Sequence, residues 1–280
     1  MPPKLIVEGK IQILDQTVNS GVYAVATDSK TGWAKDSPSV LKGGSVWYEG
    51  REALGPGKDL DETDERARKE AAIYELLGNH ERILGYLGLE EAVLNGAGAG
   101  PRPGPGGLRD SIMSATKPPT ARTRLALAVQ FAEGVAHIHR AGIVWGDLST
   151  RNAVLFDTDK WRIKLCDFAD SDLMTNYPSD WYGCEVRYCP PGSGNPHHHD
   201  TGALKREVFA LGTALYEITE WKVPYGPQTE VAEDQVLAAL ASCEWPAMSS
   251  DNPASNIIRQ CWGYGYGQSR QVVDGLRVLL

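Results

Sequence analysis

Polar and hydrophobic positions follow two different periods along this chain, short alternating runs in its first part and helical spacing through most of its second. Residues 4–14 and 21–27 read as two strands joined by the polar residues 15–20. Val40-Leu41-Lys42 and Ser45-Val46-Trp47-Tyr48 continue the strand-like pattern. A loop with Gly and Pro at 55–64 then opens into a helix over 65–78, where Ala71, Ala72, Tyr74, Leu76 and Leu77 mix with charges and Gly78-Asn79 supplies a stop. From Asn95 to Gly107 the pattern is lost. Gly, Ala and Pro dominate there, a composition that predicts a mobile linker and excludes a central strand, so that only Ala92-Val93-Leu94 keeps strand character.

Residues 120–141 carry apolar side chains on a broad helical face, from Leu125 to Ile138, and that breadth predicts burial. The stretch 142–170 alternates again: apolar strand, polar turn, apolar strand, polar turn, apolar strand. Asp147 stands where its first turn begins and Asp167 just after its last strand. Residues 207–218, 231–241, 256–262 and 269–280 read as further helices. Strands first and helices afterwards make an α+β chain.

Two carboxylates held at strand ends suit chemistry on a metal-bound phosphate, where one acid accepts a hydroxyl proton and another, with an amide oxygen, holds a hard cation. Asp147 and Asn152 stand five apart, as in the kinase catalytic-loop string H-R-D-L-x-x-x-N, and Asp167-Phe168 begins a D-F-G-like string. On these motifs, in this order, the chain resembles a protein kinase catalytic domain. A narrower likeness, to divergent kinase-like proteins of filamentous fungi, rests on Val40-Leu41-Lys42, the Trp145-Gly146-Asp147 loop and Cys261-Trp262-Gly263.

The resemblance implies a single domain with a two-lobed protein-kinase-like fold: a small β-rich N-lobe (1–95), a Gly/Pro-rich connection at the hinge (96–107) and a larger α-helical C-lobe (108–280). It implies transfer of the γ-phosphoryl group of ATP to a protein hydroxyl, with Mg²⁺, and with Ser/Thr favoured over Tyr as acceptor. In that scheme Asp147 accepts the hydroxyl proton, Asn152 and Asp167 hold Mg²⁺, Lys42 seats the phosphates, Glu70 holds Lys42, and Arg151 supplies positive charge near the transferred group. Ser20, Gly21 and Val22 stand where the loop covering the nucleotide would run. Lys35 competes with Lys42, since its distance from Val22 is closer to the usual spacing, whereas Lys42 ends an apolar pair flanked by strand-like sequence. Among the helix acids Glu70 fits the spacing to the next strand, and Glu65 and Glu75 read as solvated charges.

The departures from the family pattern are equally specific. Asp15, Thr17 and Ser20 occupy the positions of three loop glycines. Trp145-Gly146 replaces the His-Arg pair, which implies activity independent of an Arg-bound activation-loop phosphate. Ala169 replaces the glycine of D-F-G, and Pro191 stands in place of the Glu that ends R-Y-x-A-P-E, so the usual buried ion pair is expected to be missing. Either adenine binding is compromised at 95–107, or the linker bulges out and a short remnant strand does the work. Glu207, at the position of a family Asp, should bond the catalytic-loop backbone. The lost glycines and linker-like hinge motivate a second function, a catalytically weak pseudokinase acting as a protein-binding module. His137 and His139 at a helix end read as structural, and His197-His198-His199 as part of a solvated loop.

Bulk properties narrow the classes further. The chain has 280 residues, 42% of them apolar, which is enough for a proper core. Its net charge of −8 argues against a nucleic-acid partner, because phosphate backbones are held by concentrated basic surface. Five cysteines, odd in number and without a C-x-x-C pair, predict free thiols in a reducing compartment. No signal peptide is evident, and no apolar run approaches the ~18 residues that span a bilayer. The expectation is a cytoplasmic or nuclear monomer that meets ATP and a protein substrate, with no membrane and no nucleic acid as partner.

Overall fold

The first strands form where β-branched and aliphatic residues alternate with polar ones, and the later helices where apolar residues recur every three or four positions. The computed structural model describes residues 11–16, 21–25, 39–43, 47–48, 51–52, 60–90, 97–101, 106–115, 117–157, 161–177, 185–191, 202–227 and 230–280. Contacts divide the chain into two units, residues 1–80 with 84–103, and residues 81–83 with 104–280.

In the first unit the strands are β1 (Ile11–Gln16), β2 (Gly21–Val25), β3 (Ser39–Gly43), β4 (Trp47–Tyr48) and β5 (Arg51–Glu52). Helix α1 (Leu60–Leu77) follows, then β6 (Gly88–Glu90) and β7 (Ala97–Pro101). A five-stranded sheet runs in the order β1-β2-β3-β7-β6, antiparallel at every pairing. On α1, Glu70, Ile73 and Leu77 are buried at i, i+3 and i+7, whereas Glu65 and Glu75 are exposed. Tyr74 stacks on Tyr86 at 5.2 Å between ring centroids.

The sheet corrects one expectation. Residues 97–101, almost wholly Gly and Ala, do carry a central strand: β7 lies between β3 and β6, with Lys42 paired to Gly98 and Gly88 to Ala99. A ladder is built from backbone N–H and C=O groups, which Gly and Ala supply as well as any residue. Low strand propensity is overridden when a partner strand lies on each side. Pro101 sits at the last position of the strand, where a missing N–H is tolerated. Ala92-Val93-Leu94 lies outside the described residues.

In the second unit come β8 (Gly106–Gly107), α2 (Leu108–Ser114), α3 (Ala121–Arg140), β9 (Ile143–Val144), β10 (Ala153–Asp157), β11 (Arg162–Leu165) and β12 (Asp172–Leu173). The helices α4 (Ala203–Glu220), α5 (Glu233–Ala241), α6 (Ser255–Trp262) and α7 (Ser269–Val278) complete it. One-turn 3₁₀ segments occupy Thr150–Asn152 and Val186–Tyr188. Thr120 caps α3 through the Thr123 N–H, so the helix starts where a capping hydroxyl is available.

Helix α4 is buried on all sides from Arg206 to Thr219 and forms the centre of this unit. Gly212 lets α6 approach it: a Cβ there would lie 2.5 Å from the Cβ of Cys261. Arg82 and Glu133 anchor residues 81–83 to α3, and the Leu165 N–H donates to the Arg82 carbonyl at 2.8 Å. The chain is thus α+β, a small sheet region followed by a mostly helical remainder. Among the described residues no helix is long and apolar enough to cross a membrane.

Candidate active site

In the first unit, strand β3 presents Lys42 and the inner face of α1 presents Glu70. The Lys42 ammonium donates to both carboxylate oxygens of Glu70, at 3.0 and 2.9 Å. Both side chains are largely withdrawn from water, at 22% and 11% exposure, so their attraction is only partly screened. Gly21 and Val22 belong to β2, and Val22 is the register partner of Lys42. Asp15 is part of β1 rather than of the turn that follows it. Ser20 and the competing Lys35 lie outside the described residues.

The second unit holds the two aspartates and the asparagine. After β9 the chain turns at Gly146, whose φ of +84° suits glycine. A Cβ at that position would lie 2.2 Å from the carbonyl oxygen of Asp170. A side chain at 146 would collide with the Asp170 backbone, so the turn in this conformation requires glycine. The N–H groups of Trp145 and Gly146 donate to the carboxylate of Glu207 on α4, at 3.0 and 2.9 Å, the backbone bonds expected of that acid. His139 Nε2 lies 2.7 Å from the same carboxylate, which fits the structural role read for this histidine.

Asp147 follows, and Asn152 turns back onto it. The Asn152 amide donates to the Asp147 carbonyl at 2.8 Å and to its Oδ2 at 2.9 Å. Both amide protons are thereby used and the amide oxygen remains as an acceptor. Burial pushes the Asp147 carboxyl up from its ordinary pKa; Arg151 and the Asn152 bond oppose this, and the negative charges of Asp167 and Asp170 add to it. Arg151 Nη2 lies 3.5 Å from Asp147 Oδ1, and its side chain is half exposed.

Asp167 adopts the left-handed region, φ +63°, and its carbonyl accepts from Trp145 Nε1 at 2.8 Å. Trp145 is fully buried between Phe131 and Phe168, with centroids 6.1 and 5.8 Å away. The indole in place of a histidine therefore holds Asp167 by its backbone and packs the phenylalanine beside it. Among the described residues no cluster of three His, Cys, Asp or Glu would hold a metal by itself. An amide oxygen and one or two carboxylates suit instead a cation that keeps water and phosphate oxygens among its ligands, as Mg²⁺ does.

Beneath this turn lies a buried charge network that sequence reading missed. Arg109 on α2 donates to Thr150 Oγ1 at 3.0 Å, to Glu217 Oε2 at 2.8 Å and to Glu185 Oε2 at 3.2 Å. Tyr188 donates to Glu217 at 2.6 Å. Burial works against the Arg109 charge, yet Tyr188, Glu217 and Glu185 outweigh it and hold the guanidinium protonated beyond its ordinary range. The signal available in the sequence was a charge, Glu217, set among apolar residues in the second half of helix α4. Near Pro191 the buried cation is Arg187, whose Nε donates to the carbonyls of Pro224 and Gly226 at 3.1 Å. His197, His198 and His199 lie outside the described residues.

Residues 59–273 match the sequence model of the family described as protein tyrosine and serine/threonine kinase. Among curated proteins, the chain is 28% identical over 162 residues to a probable LIM domain-containing serine/threonine-protein kinase of Dictyostelium discoideum, covering 56% of this chain and 23% of that one. It is 28% identical over 152 residues to the serine/threonine/tyrosine-protein kinase HT1 of Arabidopsis thaliana, covering 50% and 35%. It is 27% identical over 170 residues to the inactive tyrosine-protein kinase RYK of Caenorhabditis elegans, covering 56% and 28%. The chain thus spans about a quarter to a third of the length of these curated relatives.

Proposed function

The chain belongs to the protein tyrosine and serine/threonine kinase family, and from that membership we propose that it transfers the γ-phosphoryl group of ATP to a hydroxyl of a protein substrate, Ser/Thr rather than Tyr. The observation that carries this reading is the bond pair from Asn152 to Asp147, which fixes a partly buried carboxylate while leaving an amide oxygen to a cation. Asp147 takes the proton of the acceptor hydroxyl as that oxygen bonds to the γ-phosphorus and the bond to the bridging oxygen of ADP breaks. The desolvation that raises the Asp147 pKa improves it as a proton acceptor. Arg151 offsets charge beside it.

Lys42, held by Glu70, seats the α- and β-phosphates, and the backbone of Gly21 and Val22 covers them together with Ser20. Asn152 and Asp167 are the residues that would hold Mg²⁺, which when bound neutralises charge on the phosphate oxygens. Free thiols at Cys166, Cys189, Cys243 and Cys261 favour a reducing compartment, cytoplasm or nucleus. We place the whole of 1–280 in one kinase-like domain acting as a monomer, without nucleic acid or membrane as partner.

A second reading, a catalytically weak protein-binding module, is supported by the likeness to an inactive kinase and by Asp15 and Ser20 at glycine positions. One experiment separates the two. Thermal unfolding is followed with and without ATP and Mg²⁺, beside Asp167→Asn, and labelled-phosphate transfer is followed beside Asp147→Asn. Ligand at about a hundred times its Kd adds roughly 2.7 kcal/mol. Metal-dependent stabilisation lost in Asp167→Asn, with transfer lost in Asp147→Asn, supports the transferase. A folded protein with no shift and no transfer supports the binding module.

A further inference from the structure

Glu185 is the one carboxylate between residues 185 and 191, and three guanidinium groups converge on it. Arg109 reaches it from α2, at 3.4 Å to Oε1 and 3.2 Å to Oε2. Arg151 reaches it from the 3₁₀ turn Thr150–Asn152, with Nε 3.4 Å from Oε2. Arg187 Nη1 lies 3.6 Å from Oε1. The Glu185 side chain is only 6% exposed, so these attractions act at low effective dielectric.

Two of the three cations also act on the turn that carries Asp147 and Asn152. Arg109 holds Thr150 Oγ1 at 3.0 Å, and Arg151 is divided between Glu185 and Asp147. Glu217 and Asp147 supply the other two negative charges, so three arginines meet three carboxylates. At Gly146 the backbone leaves no room for a side chain, and the cations that meet Glu185 come from elsewhere.

We propose that Glu185 is a built-in anionic latch: its fixed charge holds residues 185–188 on the turn 149–152, and keeps Arg151 divided between two carboxylates, without any phosphate added to that segment. Glu185 is thus a positioning residue, acting on Asp147 through Arg151 and on Thr150 through Arg109. An added phosphate would have to displace a carboxylate already occupying the guanidinium site. The consequence for turnover rests on the transferase reading; the consequence for order in the turn does not.

The test is amide hydrogen exchange of the intact chain, compared with Glu185→Gln, Glu185→Asp, Arg151→Gln and the double variant Glu185→Gln/Arg151→Gln. Glu185→Gln should speed exchange at 147–152 and 185–189 at least tenfold and leave α7 unchanged. Glu185→Asp, which keeps the charge, should restore most of the protection. Arg151→Gln should loosen the same amides, and the double variant should differ from Glu185→Gln by less than twofold. If Glu185→Gln fails to fold, Arg151→Gln on its half-exposed site still decides the matter. In parallel, wild-type transfer should survive phosphatase treatment within twofold, and Glu185→Gln should lower kcat at least tenfold with KM for ATP within twofold.

Wild-type exchange rates in Glu185→Gln, or in Arg151→Gln when that variant has to stand in, would overturn the latch; so would activity lost on phosphatase treatment. Wild type that transfers no phosphate but loosens as expected on substitution retains the latch and removes the transferase reading.

Discussion

The ammonium of Lys42 lies 2.9 Å from one carboxylate oxygen of Glu70 and 3.0 Å from the other. The pair exists because β3 ends its apolar run at Lys42 and because Glu70 shares the inner face of α1 with Ile73 and Leu77. Hydrogen bonds to charged groups are each worth about 1.5–3 kcal/mol. Glu70→Gln and Lys42→Met are therefore each expected to raise the Kd for ATP with Mg²⁺ roughly tenfold or more. The double variant should add little, because the two groups act as one unit. Titration calorimetry checks this; unchanged affinity in Glu70→Gln would remove the pair from nucleotide binding.

Asp147→Asn keeps the shape of the side chain and removes its charge. Loss of a general base typically costs 10²–10⁴ in rate, so transfer should fall by about that factor. Burial already disfavours the ionised carboxyl, so the substitution should not lower the melting temperature at neutral pH. Retained transfer in a folded Asp147→Asn protein would assign the proton to another group.

Gly146→Ala places a methyl group 2.2 Å from the Asp170 carbonyl, in a backbone region that costs an L-residue about 1–2 kcal/mol. With the collision added, the loss should exceed about 2 kcal/mol, or roughly 4–8 °C in Tm for a unit of this size. Gly146→Arg should fare no better. A thermal melt equal to wild type would show that the turn readily adopts another conformation.

Glu133 joins α3 to both Arg82 and Arg277, at 3.0 and 2.7 Å. Burial opposes its ionisation, but the bonds from Arg277 and Arg82 prevail and hold its pKa below the ordinary carboxylate value. A depressed folded-state pKa means stability that is present above the unfolded value and lost as pH falls through the folded one. Glu133→Gln should therefore cost about 1 kcal/mol or less at pH 7. The difference from wild type should vanish as the pH is lowered past the carboxylate range in denaturant titrations. A gap that stays constant with pH would assign the loss to packing.

Much of this protein is legible from local chemistry. The five-residue spacing of Asp147 and Asn152 was readable because a tight turn between two strands needs polar residues at set positions, and the amide then meets the carboxylate without help from afar. Glu70 was singled out by the resemblance, through its spacing to the next strand, and helical periodicity then sets it on one face with the buried Ile73 and Leu77, whereas Leu76 is exposed. The bonds from Trp145 and Gly146 to Glu207 were expected from the family position that Glu207 occupies.

Distant contacts decided the rest. The Gly/Ala stretch at 97–101 became a central strand because the backbones of β3 and β6 pair with it, an influence that propensity does not contain. The carboxylate of Glu185 and the guanidinium of Arg109 lie 76 residues apart in sequence, and neither has a local pattern pointing to the other. By itself the sequence determined most of the elements, though not β7, and the polar turn that carries the candidate chemistry, since these are set by neighbours within a few residues. Only the tertiary structure decided which charges are buried together, because that depends on which surfaces fold onto one another, and a buried charge persists only where its partner arrives with it.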